Sequence, residues 1–103
     1  FTVEAVAETD PIDVEGDAAG DTAIWLHTFD PPSSLVLGTD KGGAIVVFDL
    51  DGKIISEKTV TGLQRMNNID VAYGFPLGEE TIDIALATDR NEELIRIFRL
   101  RLN

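Results

Sequence analysis

The 103-residue sequence contains no cysteine, so no disulfide can staple the chain and no thiolate can hold a metal. Basic residues are scarce, eight against nineteen acidic ones, giving a net charge of -11. A field of that sign repels nucleic acid and anionic membrane, leaving neither as an expected partner, and it attracts cations, so metal ions are the partners the charge favours. No apolar run of about 18 residues is present, which excludes a spanning helix. Phe1 opens no basic-then-apolar signal segment. The first residue is not Met, and residues 98–103 read as strand with no polar tail, so both ends are expected to be cut from something longer. Histidine, tryptophan and tyrosine occur once each, as His27, Trp25 and Tyr73.

What is present is a folded composition, 44% hydrophobic and 26% charged, in a chain long enough for one small domain. It is organised as a repeat. At an offset of 49 residues Asp21 falls on Asp70, Leu37 on Leu86, and Thr39, Asp40 and Lys41 on Thr88, Asp89 and Arg90. After one extra residue in the second turn, Ile45, Val47, Phe48 and Leu50 fall on Ile95, Ile97, Phe98 and Leu100, an offset of 50. A period near 50 residues indicates units that bury their apolar faces against one another.

Within the first unit the patterning is that of β-strands. Residues 2–9 alternate polar and apolar, and residues 11–20 collect Pro, Asp and Gly as an acidic loop. Strands are predicted over residues 23–27, 35–39 and 44–50, with an exit loop over 28–34 and a glycine-rich turn over 40–43. Asp51-Gly52 signals a hairpin, and residues 53–60, carrying Lys53, Glu57 and Lys58, are predicted as an exposed fourth strand. The second unit repeats with strands over 69–73, 82–88 and 94–102, a turn over 89–93 and no fourth strand. The reading is all-β: antiparallel four-stranded blades of a β-propeller, of which the chain holds one and a half to two. Its organisation is an N-terminal arm and loop over residues 1–20, a first blade over 21–68 and an incomplete second over 69–103. Two units cannot close a ring of at least four, so the remaining blades or other copies of the chain are expected partners.

In a meander, the start of the first strand and the turn after the second share a face. Asp21, Asp70, Lys41 and Arg90 are therefore expected on one rim, where a cation and an anion can both sit. Each also has an ordinary reading, as a solvated turn cation or a turn carboxylate bonding local N–H groups. Trp25 reads as packing within its blade, and His27 as a strand-end residue. Glu79-Glu80 and Glu92-Glu93 read as solvated loop charges. Residues 49–53 lack the ligand ladder of an EF-hand and read as a hairpin.

Four ordered segments carry a resemblance. DAAGDTAIWLH from Asp17 to His27 resembles the DAADDPAIW signature of β-propeller phytases, and MNNIDVAYGFPL from Met66 to Leu77 resembles their NNVD-x-x-Y-x-FPL stretch. TDKGGAIVVFDLDGK, beginning at Thr39, and DIALATDRN, beginning at Asp83, match the intervening and following segments. The resemblance implies a six-bladed propeller of bacterial type, secreted or periplasmic, that needs calcium and hydrolyses phosphomonoesters of inositol hexakisphosphate (phytate). Carried over, the calcium-binding aspartate corresponds to Asp21, the phosphate-contacting lysine to Lys41, and the arginine of the S-N-R segment to Arg90. Asn68 and Asp70 match the NN-x-D stretch as metal-side residues, with Asn67 in the same pocket. Here the family's paired aspartates are Gly20-Asp21, its proline is Thr22, and its two consecutive lysines are Lys41-Gly42. The implied chemistry suits these residue types: calcium takes six to eight oxygens, while Lys and Arg hold phosphate as a point charge and a planar fork. No covalent nucleophile is required; a metal-held water is expected to attack. Further ligands come from blades this chain does not contain, and the isolated chain is expected to be inactive or nearly so. The alternative reading is a non-catalytic incomplete propeller that self-assembles or binds calcium, and a third is a propeller lactonase or generic scaffold.

Overall fold

The computed structural model describes residues 19–63, 65–90 and 93–101. Among the described residues six strands form: β1 Ala19–Trp25, β2 Leu35–Asp40, β3 Ala44–Phe48, β4 Met66–Leu77, β5 Glu80–Asp89 and β6 Leu94–Leu100. They make two antiparallel three-stranded sheets, ordered β1-β2-β3 and β4-β5-β6. The expected class, all-β with antiparallel meander sheets, is borne out and is compatible with partial propeller blades. A 3₁₀ turn, Pro31–Ser33, interrupts the β1–β2 connection, started by two prolines whose fixed φ suits a helical first turn. Among the described residues no helix is long and apolar enough to cross a membrane.

The strand expected over residues 2–9 lies outside the described residues, as does most of the loop expected over 11–20. Ala19 and Gly20, expected as that loop's end, instead open β1.

The predicted fourth strand over residues 53–60 does not form. Only two isolated bridges remain, Phe48 with Ile54 and Ile45 with Val60. The reason is a turn: Lys58 N–H and Thr59 N–H both donate to the Ile55 carbonyl, at 3.1 Å each, so the segment coils back rather than extending. The outer edge of β3 is satisfied piecemeal. Ile55 N–H donates to Val47 O at 2.8 Å, Val47 N–H donates to Thr59 Oγ1 at 3.1 Å, and Ile45 and Val60 exchange two backbone bonds. The hairpin over residues 49–53 does form, with Asp49 Oδ1 accepting from the N–H groups of Asp51 and Lys53. Glu80 is not in a loop but starts β5, with Arg99 of β6 at 3.4 Å.

The register tests the repeat directly. Thr39 pairs with Ile45 and Thr88 with Ile95, which bears out the offsets of 49 and 50 for the second and third strands. The first strands align differently. Thr22 pairs with Gly38, whereas Ile69 pairs with Ala87, so β1 maps onto β4 at an offset of 47. Both strands then carry a two-residue bulge at the same place: Gly20-Asp21 interrupts β1 and Asn67-Asn68 interrupts β4. The structural counterpart of Asp21 is thus Asn68, and Asp70 lies two residues farther along its strand. Matching aspartate to aspartate by identity missed this, because ladder position is set by backbone pairing and not by residue type.

The core sits between the sheets. Leu35, Leu37, Ile45 and Val47 from one side meet Met66, Ile69, Ala85 and Ala87 from the other, with Trp25 among them. Trp25 therefore packs across the two sheets rather than within one, and its Nε1–H donates to Asp83 Oδ2 of β5 at 2.7 Å. Front-to-back stacking follows from the register. The repeat equivalents of Leu35, Leu37, Ile45 and Val47 are Ile84, Leu86, Ile95 and Ile97, which lie on the far face of the second sheet, where Ile95 is 61% and Ile97 59% exposed.

Candidate functional site

Antiparallel pairing brings the starts of β1 and β4 and the ends of β2 and β5 to one rim: Ala19 pairs with Asp40, and Met66 with Asp89. At this rim, beside the starts of β1 and β4 and reaching onto the far face of the second sheet, lies an open cleft of about 880 Å³. Asp21, Lys41, Asn67, Asn68 and Asp70 line it, together with Gly20, Thr22, Thr88 and Ile95. Five of the six residues singled out from the sequence thus share one cavity. Arg90, the sixth, is exposed just past the end of β5 and is not among the lining residues; its N–H donates to the Arg65 carbonyl at 2.9 Å.

Each side chain is held by local structure. Asp21 sits in the β1 bulge, exposed, with Oδ2 accepting from Ile69 N–H at 3.3 Å, a bond that crosses to the other sheet. Asp70 is exposed on β4 and its Oδ1 accepts from Val71 N–H at 2.9 Å. Lys41 is half-buried in the β2–β3 turn. That turn is fixed by Asp40, only 5% exposed, whose Oδ1 accepts from Gly42 N–H at 2.7 Å and whose carbonyl accepts from Gly43 N–H at 2.9 Å. Gly43 adopts φ 110°, a region open to glycine, so the turn that carries Lys41 depends on it. In the second sheet the equivalent Asp89, 1% exposed, is bonded by Arg96 Nε at 3.4 Å.

Beneath the cleft is a residue that sequence reasoning passed over. Thr39 Oγ1 accepts from Asp21 N–H at 2.8 Å and donates to the Asn67 carbonyl at 2.5 Å, with the Asp21 carbonyl 3.3 Å away. Its counterpart Thr88 accepts from Asn68 N–H at 3.0 Å. The signal was the repeat itself, which put threonine before the Asp-Lys and Asp-Arg turns. Gly20 is explained by the same contact: a Cβ there would collide with Thr39 Oγ1 and stand 3.1 Å from the Asn67 carbonyl.

Chemically the cleft offers two carboxylates, two primary amides and an ammonium group. Hard oxygens of this kind fit calcium, and each carboxylate keeps lone pairs beyond the one bonded to backbone. The number falls short of a full shell, however. Among the described residues no three Asp, Glu or His side chains group closely enough to hold a metal ion by themselves. The donor types are those calcium takes, in fewer than the six to eight oxygens of a full shell. His27 takes no part: its Nδ1 accepts from Asp30 N–H at 2.8 Å in the β1–β2 loop, and its ring lies edge-on to Trp25 and Phe29.

The sequence matches the family model described as phytase over residues 1–101. A 3-phytase of Bacillus subtilis (strain 168) is 45% identical over 92 residues, an alignment that takes in 89% of this chain and 23% of that protein. The chain therefore spans about a quarter of the length of this curated relative. With a match along nearly its whole length and a relative so close in sequence, this chain belongs to the phytase family.

Proposed function

We propose that the chain is the N-terminal part of a calcium-dependent phytase-like phosphomonoesterase of the propeller type, acting on inositol hexakisphosphate and working outside the cytoplasm. The observation that carries this reading is the convergence of Asp21, Asp70, Asn67 and Asn68 with Lys41 on one cleft at the shared rim of the two sheets. A cleft lined by carboxylates repels a polyphosphate, so binding needs positive charge. Lys41 supplies part of it as a point charge on a phosphate oxygen, and Arg90, exposed just past the end of β5, supplies a planar fork. Bound calcium, held in part by Asp21, Asp70 and Asn68, would offset the remaining charge and provide an activated water. Asn67 donates its amide to the same pocket. Further sheets, stacked on the exposed Ile95 and Ile97 face, complete both the ring and the ligand shell.

The test is made in the full-length protein that contains this chain. Lys41→Ala and Arg90→Ala raise KM for phytate or lower turnover by roughly tenfold or more, the scale of a lost charge-assisted contact, with little change in melting temperature. Normal hydrolysis by both variants refutes the assignment. The second reading, a non-catalytic module that pairs with other copies, is favoured by one observation, the exposed β6 face. It predicts association of this chain in sedimentation, and the absence of phosphate release from phytate with or without calcium counts for it.

A further inference from the structure

The two bulges at the cleft lack ladder partners, and one hydroxyl stands in for both. Across the β1 bulge the pairing breaks between Ala19 and Thr22, and across the β4 bulge between Met66 and Ile69. Residues in such bulges have free backbone groups and can re-aim their side chains. Thr39 Oγ1, in a side chain 1% exposed, bonds to one backbone group of each: the Asp21 N–H in one sheet and the Asn67 carbonyl in the other.

We propose that Thr39 is a positioning residue for the cleft, its hydroxyl locking the bulge that carries Asp21 onto the bulge that carries Asn67 and Asn68. This rests on the phosphomonoesterase reading of the same cleft. Thr39 does not line the cavity and touches neither phosphate nor metal; it acts through Asp21 and Asn67. The backbone of Asp21 is tethered by Thr39 while its carboxylate is tethered by Ile69 N–H, so main chain and side chain are fixed from opposite sheets. Removing the hydroxyl leaves a donor and an acceptor to find new partners, and the two bulges move independently. Thr88 fastens only the β4 bulge, through Asn68 N–H, so its loss matters less.

The full-length protein is compared with its Thr39→Val, Thr39→Ser, Thr88→Val and Asp21→Asn variants. Phytate KM and kcat, calcium binding measured calorimetrically with the metal alone, and the melting temperature are recorded. Thr39→Val is expected to weaken calcium binding and raise KM about 10-fold or more, the scale of outer-sphere substitutions, with a smaller change in kcat. Thr39→Ser, which keeps the hydroxyl, should return both to within about 3-fold of the parent, and Thr88→Val should stay between the two. A Thr39→Val protein that binds calcium and phytate like the parent overturns the proposal. So does a Thr39→Ser protein as impaired as Thr39→Val, since the hydroxyl would then not be the cause. If Thr39→Val does not fold, Thr39→Ala, which also lacks the hydroxyl and puts no methyl against the Asn67 carbonyl, is compared with Thr39→Ser in the same way. Asp21→Asn separates the two levels. If it is impaired while Thr39→Val is normal, only the positioning role fails; if both are normal, the reading of the cleft fails as well.

Discussion

The bond from Trp25 Nε1 to Asp83 Oδ2 should be a measurable tie between the two sheets. It is short, 2.7 Å, its donor ring is 4% exposed, and its acceptor also takes Gly74 N–H on Oδ1 at 3.1 Å. A hydrogen bond to a charged acceptor contributes about 1.5–3 kcal/mol. The carboxylate is only half-buried, so water competes for it, and the lower part of that range applies. Trp25→Phe removes the bond and part of the ring's packing; Asp83→Ala removes it from the other side and also strands Gly74 N–H. The double-mutant cycle isolates the shared term, expected at about 1.5 kcal/mol. Urea unfolding of the full-length protein followed by far-ultraviolet circular dichroism reads it, since Trp25 itself is altered. The coupling is taken from the unfolding free energies of the parent, the two single variants and the double variant, each from its own midpoint and slope. A coupling below about 0.5 kcal/mol would show that the sheets are held by the apolar core alone and that this bond merely accompanies it.

Two further outcomes follow from packing. Gly20→Ala drives a methyl into Thr39 Oγ1 and toward two carbonyls 3.1 and 3.3 Å away, and should cost about 1–3 kcal/mol in thermal unfolding; a variant as stable as its parent would refute the close approach. Ile97→Lys lies on the face equivalent to the one that buries Val47, so in the full-length protein it should cost about 3 kcal/mol or more as an unpaired buried charge. Unchanged melting of that variant would mean no third sheet stacks there.

The sequence reading and the structure agree where local patterning suffices. Strands β2 and β3 were legible because Leu35–Asp40 and Ala44–Phe48 are dense in β-branched and apolar residues between turn signals, and their repeat in β5 and β6 keeps its spacing in the ladder. Lys41 was legible as a rim residue because any meander puts the turn after a second strand beside the start of the first. The fourth strand was not legible: residues 53–60 have strand-like composition, but the turn at Ile55 to Thr59 outcompetes extension.

The sequence by itself determined the repeat, the antiparallel all-β class, the family resemblance and the set of residues that could share a rim, since each depends on residue order and period. Only the tertiary structure decided that Asn68, not Asp70, is the counterpart of Asp21, because that depends on where two bulges shift the pairing. It alone showed that Trp25 and Thr39 join one sheet to the other. A tryptophan or threonine in a strand satisfies β-propensity wherever it lies, and whether its polar atom meets Asp83 or Asn67 depends on how two sheets distant in sequence come to stack.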